Sequence, residues 1–324
     1  MKDLSSENEG HSDGITSQLS AMLLIEESIY TAPDFLHLCR RVSKTSFTVW
    51  RERVTHWYFD VVDHVNASRS SVYVAMNILD RFRVQFPNFT SDKDYETAAL
   101  TALFLALSIQ GDRVIEISDL VRISRLGVTT KEIIHLGKQM TNKLSFERKL
   151  FTPSDFISTF VDLVRINICG NRCNDIIENA NYLVELCIID SYFIGKKASE
   201  TALASLVVVM GEDSELLLSM LPRLMSGRVV ENALGLCVRI EELKDRIKDV
   251  DGPHVIPVAD DDFLISIPSE VICRRCNSTI PHTSNSGIAD LSASNGNKST
   301  TDKRAVSPVD HISCKPFKKY RTSR

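Results

Sequence analysis

Long apolar runs are missing from this sequence. None approaches the ~20 residues needed to cross a bilayer, and the opening MKDLSSENEGHSDG has no apolar stretch of the kind a secretory signal requires. A membrane protein or an exported chain is therefore not expected, and an intracellular one is. Excess positive charge is missing too. With 38 lysines and arginines against 42 acids the formal net charge is -4, so nothing global draws the chain to nucleic acid or to an anionic surface. No glycine-rich loop cradles phosphate, HExxH and GxSxG are absent, and the eight histidines form no motif. Neither an enzyme nor a bound cofactor is expected. Strand signals are lacking as well, since no Asn-Gly or Asp-Gly turn separates alternating apolar runs in the first 250 residues.

A disulfide framework is also absent. The eight cysteines are scattered at Cys39, Cys169, Cys173, Cys187, Cys237, Cys273, Cys276 and Cys314, and without a secretory context they read as reduced thiols. The close pair Cys273 and Cys276, with His311 and Cys314, could supply four zinc ligands, but 34 residues of low-complexity sequence separate the pairs, unlike compact zinc modules. Free cysteines in a flexible tail are the preferred reading, with no metal site.

What is present is enough apolar sequence, 43% of 324 residues, for about two cores. Residues 1–16 are polar and read as a disordered leader, and Gln18 to Tyr30 as an amphipathic helix packed onto the first bundle. In that first set of helices, one begins after Ser46 with Trp50, Val54, Trp57, Tyr58, Val61, Val62 and Val65 on one face. A break at Asn66 comes next, with a serine among residues 68–70 to cap the second helix. A third, starting at Asp92 or Asp94, is apolar nearly all round from Ala98 to Leu107 and should be central. Helices near Glu116–Ser124 and from Thr130 to about Arg148 complete five. The order then recurs: Thr152-Pro153 opens an amphipathic helix, and after it come Ile176–Phe193, the alanine-rich Ser199–Met210, Ser214–Leu221 and Val229–Lys248. The fold class is all-α, two successive bundles of about five helices: 17–149 with its preceding helix, and 150–250. Residues 251–324 turn to Ser, Thr, Asn, Pro and scattered charge and read as a disordered tail.

The second helix, Ser70 to Phe82, places Val72, Ala75, Met76, Leu79 and Phe82 on one face, with Val74 and Ile78 widening it. Such a helix is buried, yet it carries Asp80. A buried acid without a partner costs several kcal/mol, so a basic residue on another helix is required. Asp190 sits in the second set about where Asp80 sits in the first.

Two five-helix repeats with Trp50-Arg51 through Trp57 to Asp60, and with Asn77-Ile-Leu-Asp-Arg-Phe82, resemble a cyclin, and the AMLLIEESIY and WRERV...DVVDHV segments resemble the expanded cyclin families of diatoms and related algae. The Leu144-Ser-Phe146 and Thr152-Pro-Ser-Asp-Phe156 segments resemble the junction of two cyclin boxes, and Tyr182-Leu-x-Glu-Leu186 with Asp190 resembles the second box's helix two. The resemblance implies that Arg51 pairs with Asp80 as a scaffold ion pair. It implies a regulatory subunit that binds a cyclin-dependent protein kinase through the first bundle and orders the kinase's mobile helix. The alternative is a cyclin-fold interaction protein without kinase activation, a scaffold or a component of a transcription complex. It also implies a substrate-peptide face at Arg51, Val54, Trp57 and Asp60, although a tryptophan at such a position is more often core, and Trp50 and Arg53 replace the family's methionine and isoleucine. The kinase-gripping lysine falls on Ser108, or on Ile109, and the glutamate on Gly137. Ala106 and Ser108 could lie under a partner helix or pack within the bundle.

In the tail, Lys303-Arg304 and, ten residues on, Lys315, Lys318, Lys319 and Arg321 form a two-part basic pattern. It reads as a nuclear import signal against the plainer reading of a basic terminus, which gives nucleus and cytoplasm as the expected location. Ser307-Pro308 lies in the linker and resembles a proline-directed kinase site, where phosphate would add about two negative charges.

Overall fold

A computed structural model describes residues 4–29, 44–86, 91–111, 115–124, 127–144, 150–165, 168, 170–225 and 227–249. The tail readings, Ser307 and both basic clusters included, lie outside the described residues, as do Cys39, Cys169, Cys273, Cys276, His311 and Cys314. Among the described residues there are helices and no strand, and none of the helices is long and apolar enough to cross a membrane. After α1 (Leu4–Ile29), the first bundle contains α2 (Lys44–His64), α3 (Ser70–Gln85), α4 (Asp92–Gln110), α5 (Ile117–Ser124) and α6 (Thr130–Leu144). The second contains α7 (Pro153–Val164), α8 (Gly170–Ile189), α9 (Ala198–Met210), α10 (Ser214–Met220) and α11 (Gly227–Asp249).

Local chemistry sets these bounds. Asn66 breaks the chain after α2 by taking a left-handed φ of 51°, which a short polar side chain tolerates. Ser91 caps α4, its side chain and that of Asp94 bonding reciprocally to backbone N–H groups, and Gly111 closes the helix at φ 72°. Thr152 and Asp155 form the same box at the start of α7, with Pro153 in the first turn.

The apolar helices are central, as their composition requires. In α4, Leu100, Ala102, Leu103 and Ala106 are fully buried, each large side chain contributing about 1.5–3 kcal/mol of burial. The Tyr58 hydroxyl donates to the Ala99 carbonyl at 2.7 Å. In α9, residues 198–206 are all buried, against α7, α8 and α11.

Four expectations need correction. The amphipathic segment expected on the first bundle packs instead on the second, where α1 lies against α7 and its Glu26 accepts from Ser199 at the start of α9. The polar leader is not without structure, since α1 begins at Leu4; its periodic apolar face begins only near Ile15, and the polar residues before it extend the same helix. No serine caps α3: Arg69 holds that position without a side-chain cap bond, and Ser68 and Ser70 bond to each other at 2.7 Å. Finally, α8 ends at Ile189, short of Phe193, because the Asp190 side chain accepts from Tyr192 N at 2.9 Å and starts a short 3-10 turn over Ser191–Phe193.

Candidate partner-binding faces

The first candidate pair does more than neutralise an acid. Arg51 on α2 and Asp80 on α3 are 4% and 5% exposed. Arg51 Nε donates to Asp80 Oδ1 and Oδ2 at 3.3 and 3.2 Å, and Nη2 to Oδ2 at 3.1 Å. Its remaining nitrogen, Nη1, donates to the carbonyls of Ile188 at 2.6 Å and Ile189 at 3.1 Å. Those carbonyls end α8, where a helix leaves acceptors unsatisfied and its dipole is negative. The flat, forked guanidinium can serve a carboxylate on one edge and two carbonyls on another, which a lysine ammonium cannot. Arg51 therefore fastens the first bundle to the second. A cleft runs beside it, lined by Arg51, Asn77 and Asp80 on one side and by Cys187, Ile188 and Thr201 on the other.

A second brace lies at Arg69, between α2 and α3. Its Nε and Nη2 donate to Glu185 on α8 at 2.7 and 2.9 Å, and Nη1 to Asp63 at 2.5 Å. Burial pushes the Glu185 carboxyl above its ordinary pKa, an effect that the Arg69 hydrogen bond and charge oppose. The sequence carries no signal for this pair beyond the residues' charges, because 116 positions separate them.

Asp190 repeats Asp80 in position but not in partner. It accepts from Arg239 Nε at 3.1 Å and Nη2 at 2.5 Å, and Arg239 belongs to the last helix, α11. The internal repeat is broken here because α7, PSDFISTFVDLV, carries no basic residue.

The α1 helix is held by a buried acid. Glu26 is 1% exposed and accepts from Ser199 N at 2.9 Å and Ser199 Oγ at 2.5 Å. The N-cap of α9 is Lys197, which makes no side-chain cap bond, so Glu26 does from α1 what a local cap does elsewhere. Desolvation outweighs these bonds and raises the Glu26 pKa.

The other candidate residues divide by exposure. Arg51, Val54 and Trp57 are buried and Asp60 alone of that set is exposed. Partial burial raises the Asp60 pKa. Trp57 Nε1 is buried without a hydrogen-bond partner. Of the four residues expected to face a kinase, Ala106 is fully buried, Ile109 half-buried and Ser108 exposed, its hydroxyl bonding back to Phe104 O at 2.8 Å. Gly137 is buried. A Cβ there would meet Thr101 Cγ2 at 3.6 Å and Leu105 Cδ2 at 3.9 Å, so this position seats α6 against α4. One turn earlier, Ile134 is 42% exposed, a surface apolar residue outside the sequence-derived candidates although its spacing from Gly137 puts it near that face. Cys173, Cys187 and Cys237 are free thiols. Burial raises the pKa of Cys187 well above the ordinary value and that of Cys237 to about 11. Among the described residues no cluster of His, Cys, Asp or Glu could hold a metal ion.

Two helical bundles joined through Arg51 and the carbonyls that end α8 are matched by family models. Residues 20–148 match the model for cyclin, N-terminal domain, and residues 151–239 the model for cyclin, C-terminal domain, together about two thirds of the chain. The chain belongs to the cyclin family. Cyclins are regulatory rather than catalytic subunits, and the two bundles are their two boxes. Similar proteins include a putative cyclin-B3-1 of Arabidopsis thaliana, 27% identical over 142 residues, 44% of this chain and 34% of that protein. G1/S-specific cyclin-D1 of Danio rerio is 26% identical over 192 residues, 59% of this chain and 64% of that one. The matched stretch thus spans about a third of the first relative and just under two thirds of the second. A chain in the structure of the CAK complex from Chaetomium thermophilum bound to ATP-gamma-S shares the fold, with a TM-score of 0.50 and 15% identity over 75% of each chain.

Proposed function

We propose that this cyclin is a regulatory subunit that binds a cyclin-dependent serine/threonine protein kinase and acts in cell-cycle control. The observation that carries this reading is the first box itself: the Arg51–Asp80 pair is buried and satisfied, and α4 and α6 pack directly on each other at Gly137 while Ser108 and Ile134 stay open to solvent. A specific observation favours a second reading, a cyclin-fold interaction protein that does not activate a kinase. Ser108, Ile109 and Gly137 stand where the family resemblance puts a lysine and a glutamate, and each charge-assisted hydrogen bond of that kind contributes ~1.5–3 kcal/mol. Affinity capture of the full-length chain from synchronised cells, followed by a kinase assay of what is recovered, separates the two. A cyclin-dependent kinase recovered in stoichiometric amount and active supports the first reading, and its absence from every phase of the cycle sinks it.

The basic clusters Lys303-Arg304 and Lys315 to Arg321 support a nuclear as well as a cytoplasmic location. Deleting residues 303–321 is expected to abolish nuclear accumulation of a fluorescent fusion, whereas unchanged accumulation would remove the import assignment.

A further inference from the structure

Three of the covered guanidinium groups in this chain are committed to acceptors: Arg51 to Asp80 and two carbonyls, Arg69 to Glu185 and Asp63, and Arg81 Nη2 to the Leu144 carbonyl at 3.0 Å. Arg83 on α3 differs. It is 7% exposed, yet no carboxylate, carbonyl or hydroxyl among the described residues accepts a hydrogen bond from it. Its guanidinium carbon instead lies 3.8 Å from the ring centre of Tyr95 on α4 and 4.7 and 5.7 Å from those of Phe47 and Trp50 on α2. Trp50 and Tyr95 are themselves in contact, their centroids 4.7 Å apart. The nearby acid, Asp80, is already held by Arg51. Trp50 Nε1 is a second donor without a partner in the same cluster.

Stacking on aromatic faces satisfies the charge of a guanidinium but not its N–H groups, which lie in its plane and point away from the rings. Burial, only partly opposed by the charge of Asp80, lowers the Arg83 pKa to about 10, so the group remains a cation at neutral pH. It is a fixed, charged donor fork that no acceptor among the described residues uses.

We propose that the Phe47–Trp50–Arg83–Tyr95 cluster is a binding site for an acidic peptide of a partner protein, one carboxylate of which pairs with the Arg83 guanidinium. A carboxylate takes two parallel N–H···O bonds from the fork, and its single charge matches the single cation of the cluster. A phosphate dianion would be left half-neutralised near Asp80. The site does not depend on kinase binding, so loss of the kinase reading leaves it standing.

The test is fluorescence anisotropy of a fluorescein-labelled pentaglutamate peptide titrated with the full-length chain, with pentaglutamine and a phosphoserine peptide as parallel arms. The expected result is saturable binding of pentaglutamate. Arg83→Met, which keeps the apolar stem over the rings and removes the donors, should weaken it about tenfold or more. Arg83→Lys, which keeps the charge and loses the fork, should fall between. Should Arg83→Met not fold by circular dichroism, Arg83→Lys and Trp50→Phe carry the test, and parent-like affinity in both would overturn the site. Binding of pentaglutamate by a folded Arg83→Met as tightly as by the parent, equal binding of pentaglutamine, binding of the phosphoserine peptide alone, or no saturation would each overturn it as well.

Discussion

Replacing Arg51 with alanine is expected to destabilise the folded chain by about 3–5 kcal/mol, because it strands the buried Asp80 carboxylate and leaves the end of α8 without its donor. The loss should extend beyond the first box. Arg51 bonds to α2's neighbour α3 and to the second box's α8, so urea titration monitored by probes in each box should show both shifting together. Arg51→Lys should recover part of the charge but not the bonds to Ile188 and Ile189, and should lie between the parent and Arg51→Ala. An unchanged midpoint in Arg51→Ala would show that Arg51 does not hold the boxes.

The second large effect is expected at α1. Leu19 and Met22 are 0% and 2% exposed, and the Thr159 hydroxyl lies 3.5 Å from Met22 Sδ, so α1 forms part of the second box's core. Leu19→Ala should cost about 2–5 kcal/mol and should open α1 to limited proteolysis before the rest of the chain. Glu26 adds a pH dependence whose direction is set by its raised pKa. The folded chain holds the Glu26 proton more tightly than the unfolded chain, so this contribution to stability is full below the ordinary value of 4.5 and is lost as pH rises through the folded-state pKa. Glu26→Gln keeps an acceptor for Ser199 and removes the charge. It should lack this slope and be at least as stable as the parent at pH 7. A Glu26→Gln chain less stable than the parent at pH 7 would mean that the ionised carboxylate is a net stabilising cap of α9.

The residues that period and composition could reach were legible in the sequence. The apolar girth of Ser70–Phe82 required a partner for Asp80, the run Ala98–Leu107 required a central place for α4, and Thr152-Pro153 required a helix start. Contacts between distant elements were not legible. Arg51's bonds to Ile188 and Ile189 are made to backbone carbonyls, which leave no mark on residue identity. Glu185 and Glu26 look like surface acids in their own helices and lose solvent only because another element covers them. Asp190 matches Asp80 in position, but α7 carries no basic residue to pair with it, and its partner Arg239 comes from the distant α11. Of the candidate partner-binding residues, the side chains of Val54, Trp57 and Ala106 went to the core, and Asp60 and Ser108 to the surface.

Kinase stimulation is the most direct measurement of the proposed role: the purified full-length chain is mixed with the cyclin-dependent kinase that it captures, and phosphate transfer to a Ser-Pro peptide is monitored. The parent is expected to raise the rate over kinase alone, and Arg51→Ala, which unfastens the boxes, is expected not to. A captured kinase whose rate is the same with and without the parent chain would contradict a regulatory subunit that activates its kinase.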